Sequence, residues 1–114
     1  MNSNISAEAV EEIHFEATVA AEQAAARFFQ EKLGGRDQYA CGFAWVTVFE
    51  KGSTKLGRAL KAVGFRKAYD GGLQLWNPSH FGCQNVDTLE AGAEAYAQVL
   101  KKYGITAYAG SRLD

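Results

Sequence analysis

A chain of 114 residues has room for one domain with a single core, and 47% hydrophobic with 22% charged residues excludes a disordered one. Twelve basic against thirteen acidic side chains leave a net charge of −1, so nucleic acid is not an expected partner, although a local basic patch stays open. No apolar run approaches the roughly 20 residues that span a bilayer, and the first residues lack the basic-then-apolar layout of a secretion signal; a cytoplasmic protein without membrane contact is expected.

Ser6 is placed to cap a first helix, with Glu8, Glu11 and Glu12 in its opening turns, where negative charge suits the helix dipole. Helical periodicity runs to Leu33, and Gly34-Gly35 stops it. Val10, Ile13, Ala17, Ala20, Ala24 and Phe28 repeat at spacings of three and four, a narrow seam rich in alanine. At about 40 Å for about 28 residues, this helix exceeds the strands it would cover. Its overhang predicts a homodimer through residues 6–33.

Residues 39–49 form the only long uncharged run and predict the central strand. Tyr39, Cys41, Phe43, Trp45, Thr47 and Phe49 alternate with Ala40, Gly42, Ala44, Val46 and Val48. Helices are expected on the bulky face, and a closer-approaching element over Gly42 and Ala44. Ser53 or Thr54 then caps a second helix that buries Leu56, Leu60 and Val63 and ends at Gly64. Strands at 65–69 and 73–76 flank Asp70-Gly71-Gly72, a hairpin signal because such turns need positive φ.

Residues 77–86 hold the only proline, Pro78, and no period, so they read as a loop. Asp87 with Glu90 three residues on fits a capping box for a third helix to about Tyr103, burying Leu89, Ala93, Tyr96, Ala97 and Leu100. Gly104 closes it, and 105–109 reads as a last strand. The fold expected is α+β and a single domain, 1–114: a long N-terminal helix (1–35), then a ferredoxin-like β-α-β-β-α-β sandwich (36–114) with both helices on one face. Phe43, Val46, Val48, Leu60, Leu75, Leu89 and Leu100 are its expected core.

No phosphate loop, zinc-protease motif or nucleophile elbow is present. Cys41 and Cys83 are widely spaced and read as buried thiols; with only His14 and His80 beside them, no metal site is expected. No catalytic residue and no cofactor is assigned. The segment from Trp76 to Asn85 gathers polar side chains, an imidazole and two aromatics between a strand end and a helix start, where loops often carry function. A second candidate is the segment after the last strand, where Arg112 among small residues suits a phosphate or carboxylate. The basic group Lys55, Arg58, Lys61, Arg66 and Lys67 is a third, as a patch for an acidic partner. Trp76, Asn77, His80, Tyr108 and Arg112 are the expected ligand or partner site. Because strands three and four are expected to end at opposite edges, only a folded-back loop or a dimer would unite them.

Cys41-Gly42-Phe43-Ala44-Trp45-Val46, Tyr69-Asp70-Gly71-Gly72, Trp76-Asn77-Pro78, Glu90-Ala91-Gly92-Ala93 and Ala109-Gly110-Ser111-Arg112-Leu113-Asp114 resemble small uncharacterised proteins of tailed bacteriophages. The likeness covers about two thirds of the chain and omits the first helix. It implies an accessory protein that binds and modulates or inhibits a host protein, such as a defence component, in the host cytoplasm. The alternative is a binder that sequesters a nucleotide or other small anion, with Trp76 or Tyr108 stacking and Arg112 on phosphate. A hydrolase centred on His80 is a third reading.

Overall fold

The computed structural model describes residues 5–69 and 71–114. In chain order the elements are α1 (Ala7–Leu33), β1 (Gly42–Val48), α2 (Lys55–Ala62), β2 (Arg66–Lys67), β3 (Leu73–Trp76), α3 (Val86–Lys102) and β4 (Tyr108–Leu113). The architecture is α+β, with a long N-terminal helix, two further helices and a four-stranded antiparallel sheet in the order β2-β3-β1-β4.

The helix ends follow local chemistry. The Ser6 hydroxyl accepts from the Ala9 N–H, and Gly34 adopts φ 64° to close α1. Thr54 caps α2 by accepting from Gly57 N, and its hydroxyl donates to Glu50 Oε2 at 2.6 Å. The cap of α3 is Asn85, not Asp87. Asn85 Oδ1 accepts from the Thr88 N–H and hydroxyl, its Nδ2 donates to Gln38 O, and Asp37 receives the backbone N–H groups of Gln84 and Asn85. Two residues of chain before the expected cap are thereby drawn into the helix start.

The sheet corrects the expected facing of β1. Gly42, Ala44, Val46 and Val48 are buried toward the helices, whereas Phe43 keeps 39% of its surface exposed. The small side is the covered side because α3 approaches closely: a Cβ on Gly42 would stand 2.7 Å from Val86 Cγ2. The bulk in the core comes instead from Tyr96, Phe65, Leu56, Leu60 and Leu100, each almost fully buried. Val46, Val48, Leu60, Leu75, Leu89 and Leu100 are buried as expected, and Phe43 is not.

The strand bounds also move. Tyr39 takes φ 69° and is not extended; Cys41 makes an isolated bridge to Asn85 before β1 begins. Ile105 and Ala107 enter the core, but sheet pairing starts only at Tyr108 and carries through Leu113. Arg112 is therefore a strand residue rather than part of a tail.

The buried face of α1 is Val10, Ile13, Ala17, Ala21, Ala25 and Leu33, one residue out of phase with the expected Ala20, Ala24 and Phe28. It packs along α3 of the same chain and, more lightly, on α2. Gly92 of α3 is what permits this approach: a Cβ there would meet Ser79 Cβ at 2.7 Å and Ala21 O at 3.3 Å. Toward its C-terminal end α1 is met by the loop 77–85, whose Phe81 ring lies 5.1 Å from that of Phe29. Lys102 and Tyr103 both bond Glu16, tying the end of α3 to α1.

Candidate functional site

Because β3 and β4 each pair antiparallel with β1, they run parallel to one another and end on the same side of the sheet. Trp76 and Arg112, expected at opposite edges, therefore meet within one chain. Trp45 lies opposite Trp76 on β3 and Gly110 on β4, and Phe43 lies opposite Arg112. Strand alternation places these groups, with Thr47, Gln74 and Tyr108, on the face away from the helices.

The centre of this face is built ring upon ring. Gly110 leaves room for the Trp45 indole, since a Cβ there would fall 2.7 Å from Trp45 Nε1. Trp76 stacks on Trp45 with centroids 4.8 Å apart and an interplanar angle of 29°, and Phe43 meets Trp76 edge-on at 6.0 Å. The Arg112 guanidinium carbon sits 5.4 Å from the Phe43 centroid and 5.7 Å from that of Trp76. Such a contact is worth about 0.5–1 kcal/mol at an exposed position. Trp76 Nε1 donates to Gln74 Oε1 at 3.0 Å, and Gln74 Nε2 to Thr47 Oγ1 at 3.4 Å, so a polar chain borders the rings.

Tyr108 belongs to the same face but to its other end, opposite Thr47, with Phe49 at 6.0 Å and Lys101 Nζ 5.9 Å from its ring. Asn77 and His80 do not join the cluster. Asn77, at φ 45°, organises the turn: its N–H donates to Ala44 O, its Nδ2 to Phe81 O, and its Oδ1 accepts from the Ser79 hydroxyl. His80 is exposed and stands in electrostatic reach of His14 on α1, toward the helical layer. The expected site of Trp76, Asn77, His80, Tyr108 and Arg112 thus separates into an aromatic face and a structural loop.

Two members of the face, Phe43 and Trp45, went unnoticed because their bulk read as core. Glycine at 42 and alanine at 44 signalled close approach of a helix on the other side, which leaves the rings outside.

Concave sites are modest. A cleft of about 210 Å³ lies beside the cluster, bordered by Phe43, Trp76, Asn77, Cys83 and Gln84. A groove of about 440 Å³ between α1 and the end of α2 is lined by Glu11, His14, Phe15, Thr18, Ala62 and Val63. There Tyr96 Oη stands 2.7 Å from His14 Nδ1; burial first, then the charge of His80, lowers the His14 pKa. Burial also raises the Tyr96 and Cys83 pKa values. Among the described residues, no group of three or more His, Cys, Asp or Glu side chains is arranged to hold a metal ion. Both cysteines are free thiols, and Cys41 is exposed, in contrast to the burial expected of it. No described helix is long and apolar enough to cross a membrane.

Comparison with protein-family models, curated proteins and solved structures finds no match.

Proposed function

We propose that this chain acts by binding rather than catalysis, and that it engages a macromolecular partner through the open face of its sheet. The observation that carries this reading is the Phe43–Trp76–Arg112 contact over Trp45, a surface cluster of the residue types that dominate binding hot spots. The shape favours a large partner. The adjoining cleft of about 210 Å³ falls below the range of roughly 300–1,000 Å³ in which small molecules are enclosed, which weakens the nucleotide-sequestering alternative. The resemblance of residues 41–114 to tailed-phage proteins supplies the setting: an accessory protein that modulates a component of the host cell.

A ferredoxin-like arrangement of residues 36–114 is supported by the β-α-β-β-α-β order and by antiparallel pairing throughout. It is also the arrangement that leaves one sheet face bare of helices.

Native mass spectrometry of the protein purified from infected cells tests the proposal. The parent should retain a partner that Trp76→Ala and Arg112→Ala each lose while both variants still melt cooperatively. Retention of the same partner by both variants would place the site elsewhere.

A further inference from the structure

We infer that the partner of the open face is a single-stranded nucleic acid, an inference that rests on the binding reading above and narrows it. The net charge of −1 conceals a polarised molecule. The charged residues of the four strands are Arg66, Lys67 and Arg112, all basic. The acids concentrate on α1, where Glu8, Glu11, Glu12, Glu16, Glu22 and Glu31 outnumber Arg27 and Lys32. That helix packs on α3, on the far side of the molecule from the bare sheet face.

Position matters as much as sign. Arg66 on β2 lies opposite Gln74, so alternation brings it to the open face at one edge of the sheet. Arg112 occupies the opposite edge strand, β4. Between these two cations, on β3 and β1, stand Trp76, Trp45 and Phe43. Arg66 shares its row with Gln74, Thr47 and Tyr108, and Arg112 its row with Phe43, so a chain running diagonally from β2 to β4 meets a cation, then the Trp76 and Trp45 rings of the row between, then a second cation. That sequence suits a polymer with phosphates outside and exposed bases inside, since bases stack on aromatic side chains and phosphates pair with arginine forks. Gln74, half-buried and bonded to Trp76 and to the buried Thr47, sets an amide beside the rings.

A duplex does not fit. Its bases are already stacked on one another, and the rings of this sheet stand on a flat face rather than on an element that enters a groove. The charge of −1 is that of the whole chain, whereas the charged strand residues are all basic.

The test is tryptophan emission of the intact protein during titration with an oligothymidylate and an oligouridylate of about twelve nucleotides, and with a duplex of equal length, at about 50 mM salt. Both single strands, or one of them, should quench emission and the duplex should not; the two arms assign DNA or RNA. Two arginine–phosphate contacts give log Kd a salt dependence with a slope of about 1.4, falling to about 0.7 in Arg66→Ala or Arg112→Ala. Trp76→Ala should weaken binding about 5- to 150-fold while the variant keeps a cooperative melt. The inference is overturned if no single strand binds, if the duplex binds equally well, or if the slope is unmoved by both arginine variants. Should Trp76→Ala and Arg112→Ala still release a protein from the purified complex while no oligonucleotide binds, the partner is a protein and the face reading survives. If neither partner retention nor oligonucleotide binding responds to them, both readings fall.

Discussion

Phe43→Ala discriminates between a covered and an open aromatic face. A fully buried phenylalanine loses about 3–5 kcal/mol on truncation, partly because it leaves a cavity. Phe43 is 39% exposed and borders solvent, so no enclosed cavity forms. The transfer contribution is then about three fifths of the roughly 1.5–3 kcal/mol of full burial, or about 1–2 kcal/mol. Loss of the edge contact with Trp76 and of the Arg112 contact adds at most about 1 kcal/mol. A loss of about 1–3 kcal/mol is expected by urea denaturation. Leu100→Ala, 1% exposed at the heart of α3, provides the comparison at about 2–5 kcal/mol. If Phe43→Ala costs as much as Leu100→Ala, the aromatic side is covered in the folded protein, and the site argument fails with it.

Gly110→Ala should displace the Trp45 indole and disturb its stack on Trp76, visible as a changed near-ultraviolet circular dichroism; an unaltered spectrum would contradict the stack. Asp37→Ala removes the acceptor of two backbone N–H groups at the start of α3 and should cost about 1–3 kcal/mol in denaturant titration. Because burial and then His80 hold the His14 pKa below 6.5, the unfolded chain takes up that proton first as the pH falls. Stability should therefore be unaffected by this group above the unfolded value and decline below it, levelling only under the folded pKa. Melts between about pH 8 and pH 5 should show that decline, flattened in His14→Gln. Ala21→Asp, at a position with no exposed surface, should unfold the chain by burying an unpaired carboxylate against α3, seen as loss of a cooperative melt rather than as a change of assembly.

Much of the fold was legible locally. Ser6, Gly34 and Thr54 end their helices where their chemistry says, and the segment order β-α-β-β-α-β was readable from periodicity and glycine punctuation. What alternation leaves open is which side of a strand is covered, and here the larger residues misled. The decisive clue was the pairing of small residues across layers, Gly42 under Val86 and Gly92 under Ala21, visible only once two distant segments are brought together. The sequence Tyr108-Ala109-Gly110-Ser111-Arg112-Leu113 has little strand character of its own; its register comes from β1, which is why Arg112 passed for a tail residue. Of the five residues expected at the site, Trp76 and Arg112 are brought together by topology, whereas Asn77 and His80 are placed by the turn they build.

The overlong first helix acquires a different meaning in this light. A homodimer was expected because its alanines invite a second backbone and its length exceeds the sheet. Part of each premise is met inside one chain: Ala17, Ala21 and Ala25 lie on the buried face of α1, which packs along α3, and the Phe81 ring lies against Phe29 near the end of α1. The loop that looked most like a site is therefore what lets the helix be long, with Phe81 against Phe29 and Ser79 pressed to Gly92. The loop packs mainly in the helical layer and only borders the rings at the Asn77–Gln84 cleft, so Phe43 and Trp76 keep much of their surface exposed. The acids of α1 then add nothing repulsive to the face where Arg66 and Arg112 stand, since helix and open face lie on opposite sides of the core.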